Sequence, residues 1–429
     1  MKAALILTFL IGTAATAATI GKSVTPPSLT RDRIAALPAK DRAVWLAYLD
    51  RSQRQMQADR AFLAAELKAA GMTQATPAPG GSAARSIPLD RPVEWYGGPE
   101  ARGIADIVVS FQTPAGGWSK NLNMADHERR KGEHFAANNL SKYLTPGDFD
   151  TPHDIGWNYV GTLDNDATTT QLRFLARVAT AAGAQDGAPY RASVIRGVRY
   201  LLGAQFPNGG WPQVWPLEGG YHDAITFNDG AIGETMRVLN AVAEGKDDFA
   251  FAPAALRKEA ASAVARAIDC ILGSQIVDRG VLTVWGQQHD ALTLRPVAAR
   301  NYEPAALCSA ESAGVVQFLM ALPHPDARVV KSVDAAVAWF RKAAIPGHKY
   351  SRGPDGGHFD VQPGAPLLWA RYYELGTERP IFGDRDQSIH DTLDEISRER
   401  RSGYTWYVTG PQAVLDAYGA WKAHAVCDK

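Results

Sequence analysis

Three helical runs in this chain end in the same way, and that recurrence narrows the available folds more than any other feature. The run 104–112 leads into QTPAGGWSKN and the run 190–205 into QFPNGGWPQ, with six residues from glutamine to tryptophan in both. A third run, 256–275, leads into SQIVDRGVLTVWGQQ, where the turn is longer and the tryptophan is displaced. A single helix–turn unit cannot bury its apolar face alone, so a repeated one implies units stacked against one another.

Three further helices alternate with these, each expected to open on a polar cluster. One follows Leu163-Asp164-Asn165-Asp166 and continues through Leu172, Leu175 and Val178 to Gly183. Another follows Phe227-Asn228-Asp229 and continues through Ile232, Met236 and Leu239 to Gly245. The last is expected after Arg300-Asn301-Tyr302-Glu303, with Pro304 in its first turn, where proline is tolerated. Two alternating helix types over three repeats predict a mainly α-helical fold, an (α/α)₃ toroid or helical-hairpin superhelix with a groove and few short strands. TVW and YTWYVT are the best strand candidates. Inner helices of such a ring run the same way, so Asp164, Asn165, Asp229 and Arg300 are expected at one mouth.

The ends of the chain add segments outside this repeat. Lys2, the apolar run 3–11 and Ala15-Thr16-Ala17 predict a secretory signal over 1–17 and hence export. Residues 18–87 read as a helical arm and linker: 30–71 has helical spacing, and 73–88 is rich in Pro, Gly and Ser. The repeat body is placed at 88–429, with a C-terminal subdomain from about 345. Forty-five basic and 45 acidic residues cancel, so nothing calls for nucleic acid or an anionic membrane. That balance neither demands nor excludes an oligomer; a monomer is expected. Three cysteines permit one disulfide at most; Cys270 and Cys308 lie in apolar patterns that suit buried thiols.

Asp and Asn are favoured helix N-caps, so each acid alone has a structural explanation. DND and ND offer more oxygen groups than capping needs, however, and carboxylate and amide oxygens suit a hard cation such as Ca²⁺. Neither a zinc motif nor an EF-hand loop is present. Arg295, Arg300, Arg371 and Arg385 match carboxylates, and Trp211, Trp215, Tyr350 and Trp369 offer sugar-stacking faces. Together they suit an acidic polysaccharide.

The ordered set GGWSKN, LDNDATTTQ, GGWPQ, TFNDGAIGE, VWGQQHDALTLRPVAARNYEPAAL and APLLWARYYELGTERPIFGDRD resembles the pectate lyases of polysaccharide lyase family 10, over roughly 88–410. The resemblance implies β-elimination of polygalacturonate with Ca²⁺ between protein and substrate. It makes Arg300 the base that removes the C5 proton, with Asp164 beside it among the catalytic residues. Asp164, Asn165 and Asp229 become calcium and subsite residues, Arg371 and Arg385 hold galacturonate carboxylates, and Lys120 contacts substrate. Trp215 and Tyr350 are the aromatic substrate contacts expected from composition. Guanidinium is almost always protonated, so an arginine base implies activity rising into the alkaline range. Competing readings are an inverting glycoside hydrolase with Asp164 and Asp229 flanking a water, and a carbohydrate-binding protein without turnover. Toroidal terpene cyclases share similar turns but need an acid cluster that this chain lacks.

Overall fold

The computed structural model describes residues 19–353 and 355–427, so the expected signal segment lies outside the described residues. The principal helices are α1 (Ala39–Ala70), α2 (Pro99–Ser110), α3 (Thr169–Ala181), α4 (Ala188–Ala204), α5 (Ala231–Glu244), α6 (Ala254–Ser274), α7 (Ser309–Met320), α8 (Ala327–Ala343) and α9 (Gly410–Cys427). The fold is mainly helical, with short strands between helices. Helices α2, α4, α6 and α8 form an outer row. Within it lie α3, α5 and α7, each packed on outer helices, and α9 closes against α7 and α8.

The glutamines that end the outer helices tie each one to the next. Gln112 Nε2 donates to the carbonyls of Gly116 in its own turn, at 2.8 Å, and of Ser193 on α4, at 3.0 Å. Gln205 does the same to Gly209 and to Ala263 on α6, both at 2.9 Å. Gln275 does so to Thr283 and to Ser332 on α8, at 2.8 and 3.0 Å. All three glutamines are buried, where an unmatched amide is costly, so the side chain fixes both turn and neighbour. The tryptophans finish the unit: Nε1 of Trp118, Trp211 and Trp285 donates back to Val108, Leu201 and Ile271 at 2.7–2.8 Å. Trp369 repeats this on Phe340 of α8, at 2.8 Å. The glycines are needed because the next outer helix comes so close. A Cβ on Gly209 (φ +96°) would lie 2.1 Å from the Arg266 carbonyl, and one on Gly116 (φ +105°) 2.6 Å from that of Arg196.

The amino-terminal arm packs on this body. Trp45 and Tyr48 of α1 lie against Phe206, with ring centroids 5.5 and 5.0 Å away, and Tyr48 Oη donates to the Ala204 carbonyl at 2.9 Å. Gly21–Lys22 begins a five-stranded antiparallel sheet that continues through Ser388–His390, Pro380–Gly383 and Tyr372–Tyr373 to Leu307–Cys308. The region after 345 also carries the hairpin His348–Gly353 and Gly356–Val361, with strand pairing between Trp369–Ala370 and Tyr407–Val408.

The third inner helix departs from the sequence expectation. It begins at Ser309, five residues after Pro304, because Leu307–Cys308 is engaged with Tyr372–Tyr373. Residues 299–303 instead form a tight loop in which the Glu303 amide donates to the Arg300 carbonyl at 2.8 Å. Arg300 therefore sits on a loop, not at a helix start.

Candidate active site

Two similar turns precede α3 and α5. Asp164–Asp166 and Asn228–Gly230 are single 3₁₀ turns, and the second residue of each is left-handed: Asn165 at φ +53° and Asp229 at φ +49°. Asn and Asp tolerate that conformation best after glycine, which accounts for the DND and NDG strings. Asp164 and Asn228 hold equivalent first positions and are buried, whereas Asn165 and Asp229 hold second positions and are exposed. The backbone remains unusual after the first turn, with Asp166 at +58° and Thr168 at +67°. A β-branched residue there stores strain, which tends to collect at functional sites.

The turns adjoin, and a polar pocket of about 110 Å³ opens beside them, lined in part by Lys120, Asp164, Asn165, Asp229, Arg300 and Glu303. Asn228 joins the two carboxylates: its Nδ2 lies 3.3 Å from Asp164 Oδ1 and 3.0 Å from Asp229 Oδ2, and its Oδ1 accepts from Gln287 at 2.7 Å. Lys120 Nζ lies 2.6 Å from Asp164 Oδ2 and 3.4 Å from the centre of the Tyr159 ring. Burial opposes ionisation of Asp164, but the Lys120 charge, its hydrogen bond and Arg300 outweigh it and hold the carboxyl below its usual range. Asp229 makes no such ion pair among the described residues. Desolvation, then the charges of Asp164 and Glu311, push it up to about 6.

Arg300 is held by its neighbour three residues on. Its Nε and Nη2 donate to the two oxygens of Glu303 at 2.9 and 2.6 Å, and Tyr404 Oη donates to the same carboxylate at 2.8 Å. Burial alone would raise Glu303, but Arg300 and these hydrogen bonds bring it to about 2. Burial in turn works against the Arg300 charge, and Glu303 overrides it, raising that guanidinium further above its ordinary value. The Tyr404 hydroxyl lies 2.6 Å from that of Tyr372, which donates to Gln287. A packed polar seam thus runs from Arg300 to the paired aspartates.

The remaining predicted residues divide into those near the pocket and those away from it. Arg371 meets the start of α7, where its carbonyl accepts from Ser309 N at 2.9 Å, and it pairs with Glu311. Its charge reaches Asp229. Arg385 lies outside the pocket lining and pairs with Glu399 at 2.7 Å, although it shares a platform with Arg300. The guanidinium carbons of Arg300, Arg385 and Arg400 lie 5.1, 5.3 and 4.3 Å from the Tyr302 ring centre, within cation–π range. Trp215 lies in the core: it is 5 % exposed and packs edge-on against Tyr200 at 5.5 Å. Tyr350 is likewise a packing residue of the hairpin, 5.3 Å from Tyr407, with its hydroxyl on the Tyr404 carbonyl.

Sequence reasoning assigned no role to Asn228, Gln287, Tyr302, Glu303, Glu311 or Tyr404. Glu303 lay within the polar cluster Arg300-Asn301-Tyr302-Glu303, which was a usable signal, although a tight loop and not helical spacing brings the two charges together. Tyr404 carried none, because only the tertiary fold brings it to residue 303.

Residues 112–415 match the family model described as pectic acid lyase. The chain belongs to that family. It is a polysaccharide lyase. Among solved structures it is similar to the family 10 polysaccharide lyase from Cellvibrio cellulosa, at 32 % identity and a TM-score of 0.64, covering 79 % of this chain and 99 % of that one. A mutant of the same lyase in complex with trigalacturonic acid matches with equal identity and TM-score, over 76 % of this chain and 95 % of the other. A search of curated proteins gave no match. Among the described residues of the lyase, no helix is long and apolar enough to cross a membrane.

Proposed function

We propose that this lyase is exported and cleaves α-1,4-polygalacturonate by Ca²⁺-assisted β-elimination, yielding 4,5-unsaturated products. One observation carries the reading: the paired carboxylates of Asp164 and Asp229 share a small polar pocket with Lys120 and Arg300, with Arg371 close enough to act on Asp229.

The residues fit a hard cation that binds together with substrate. Desolvation and then the Asp164 charge push Asp229 up, and Lys120 pairs with Asp164 alone, so the charge of the two carboxylates is left partly unmatched. Among the described residues, no three His, Cys, Asp or Glu side chains converge. Ca²⁺ takes 6–8 oxygens, so Asp164, Asp229 and Asn165 would hold it only with further oxygens from substrate and water. When bound there, it supplies neutralisation of a galacturonate carboxylate, which acidifies the neighbouring C5 proton.

Arg300 takes the C5 proton in this mechanism, and Arg371 and Arg385 hold flanking carboxylates. Lys120 keeps Asp164 ionised and completes the positive wall. Glu303 opposes the base role at rest by keeping Arg300 protonated, so turnover waits on alkaline pH and on cations gathered at the pocket. The same pair favours a second reading, in which Arg300 stays charged as a carboxylate clamp and Asp229 takes the proton.

The test follows absorbance of the conjugated product from polygalacturonate across pH, with Ca²⁺ or EDTA, for the parent chain, Arg300→Ala and Arg300→Lys. A calcium-dependent signal that climbs through the alkaline range and vanishes in both variants is expected. A rate that levels off above about pH 6 would transfer the base role to Asp229. Reducing sugar without absorbance would reject elimination.

A further inference from the structure

An opening beside the amino-terminal arm has different chemistry from the central pocket. A groove of about 580 Å³ lies between α1 and the segments around 134–140 and 155–158, and is lined in part by Leu63, Leu67, Leu140, Ile155, Asn138 and Asn139. That size suits one or two sugar rings. None of the lining side chains is Lys, Arg, Asp or Glu. Ile155 is 70 % exposed on its rim, an apolar surface that water covers poorly. Asn158, also in the lining, is buried, and its Oδ1 has no hydrogen-bond partner among the described residues.

Asparagines connect this groove to the site. Asn165, in the central pocket, donates to Asn121 at 3.1 Å, and Asn121 donates to Asn139, in the groove, at 3.0 Å. A polymer crossing the central pocket would meet the groove two side chains further on. Leu63, Leu67 and Gln74 belong to the arm and linker, ahead of the stretch that matches the family.

We infer that the groove is a distal subsite for uncharged, methyl-esterified units of the galacturonate chain whose free-acid units are cut at the centre. This rests on the proposed substrate. A free galacturonate would enter the groove without a cation to meet its carboxylate, whereas an ester presents a methyl to Leu140 and Ile155 and hydroxyls to the amides. The arm thereby directs the lyase to the borders between esterified and free-acid blocks.

The test uses the full chain with Ile155→Asn and Leu140→Asn/Ile155→Asn, and Val281→Asn, exposed on another surface, as control. On partially methyl-esterified pectin the groove variants should raise KM about tenfold, the scale of a lost small apolar contact, with KM on fully de-esterified polygalacturonate unchanged. Native electrophoresis through gels containing highly methyl-esterified pectin reads binding without turnover. The parent and Val281→Asn should be retarded relative to a pectin-free gel, and the groove variants should not. Equal retardation of all four proteins, or an equal rise in KM on both substrates, overturns the subsite. If the parent makes no unsaturated product from polygalacturonate, the proposed reaction fails, while the gel still decides the groove.

Discussion

Glu303→Gln separates the two roles open to Arg300. Glu303 is 2 % exposed and titrates near 2 instead of 4.5, because Arg300, its backbone amide and Tyr404 together overcome the effect of burial. At about 1.4 kcal/mol per pH unit, the site prefers the carboxylate over the neutral acid by roughly 3 kcal/mol. The folded value is depressed, so this stabilisation is complete above the unfolded value near 4.5 and is lost as pH falls toward 2. Glutamine keeps the shape but not the charge. Arg300 is partly exposed, with a third of its side chain open, so water recovers some of the loss and about 1–3 kcal/mol of destabilisation remains. For a chain of this size that lowers Tm by roughly 1 °C per kcal/mol, at about 2 cal/mol/K of unfolding entropy per residue. The kinetic consequence is more specific. Without Glu303 the Arg300 guanidinium loses the charge that raises it, so a base at Arg300 becomes available at lower pH. Initial rates by product absorbance between neutral and strongly alkaline pH, at saturating Ca²⁺, should show the alkaline limb displaced to lower pH. An unmoved limb, with kcat reduced uniformly across pH, would refute Arg300 as base and leave it a clamp.

Two other perturbations test the remaining parts of the argument. Asp229→Asn should abolish calcium-dependent turnover, while the parent should lose activity as pH falls through about 6 and Asp229 takes up its proton. Its raised carboxyl is a destabilising charge above that pH, so the variant should melt slightly higher at neutral pH, by under about 1 kcal/mol given its exposure, as calorimetry would record. Gln275→Ala removes the hydrogen bonds to Thr283 and Ser332 and should cost about 2–4 kcal/mol in denaturant unfolding with KM unchanged. A KM effect there would mean that the repeat does more than hold helices together.

The repeat was legible because its residues meet locally. Gln112, Gly116 and Trp118 close a turn on their own helix, so the sequence interval records the geometry. The polar openings of α3 and α5 were legible for the same reason. Legibility failed at the third inner helix, where Leu307–Cys308 answers to Tyr372–Tyr373 more than 60 positions away and helical spacing gives no warning. Trp215 is a buried core ring and Tyr350 a half-buried ring of the hairpin, because an aromatic ring suits packing as well as a sugar face and only the fold shows which surroundings it has. The paired strands His348–Gly353 and Gly356–Val361 were not expected because their glycines and charges interrupt any strand alternation.

The asymmetry of the two turns follows from the same repeat. A stacked pair of similar units would place similar side chains face to face, and two buried aspartates at the first position would leave a charge that Lys120 alone could not match. Here Asp164 is the buried acid, and its counterpart is Asn228, neutral and able to donate to it. The second acid, Asp229, has moved one position along to the exposed left-handed residue, where its counterpart is Asn165. At its first two positions each turn thus carries one acid and one amide at different depths, with Asp166 a further acid at the third position of the first turn. This keeps the carboxylates close while one of them still reaches solvent and an incoming substrate. Exchanging the residues within a turn would restore the composition but not this depth difference, so the order Asp-Asn in one turn and Asn-Asp in the other is itself a structural requirement of the site.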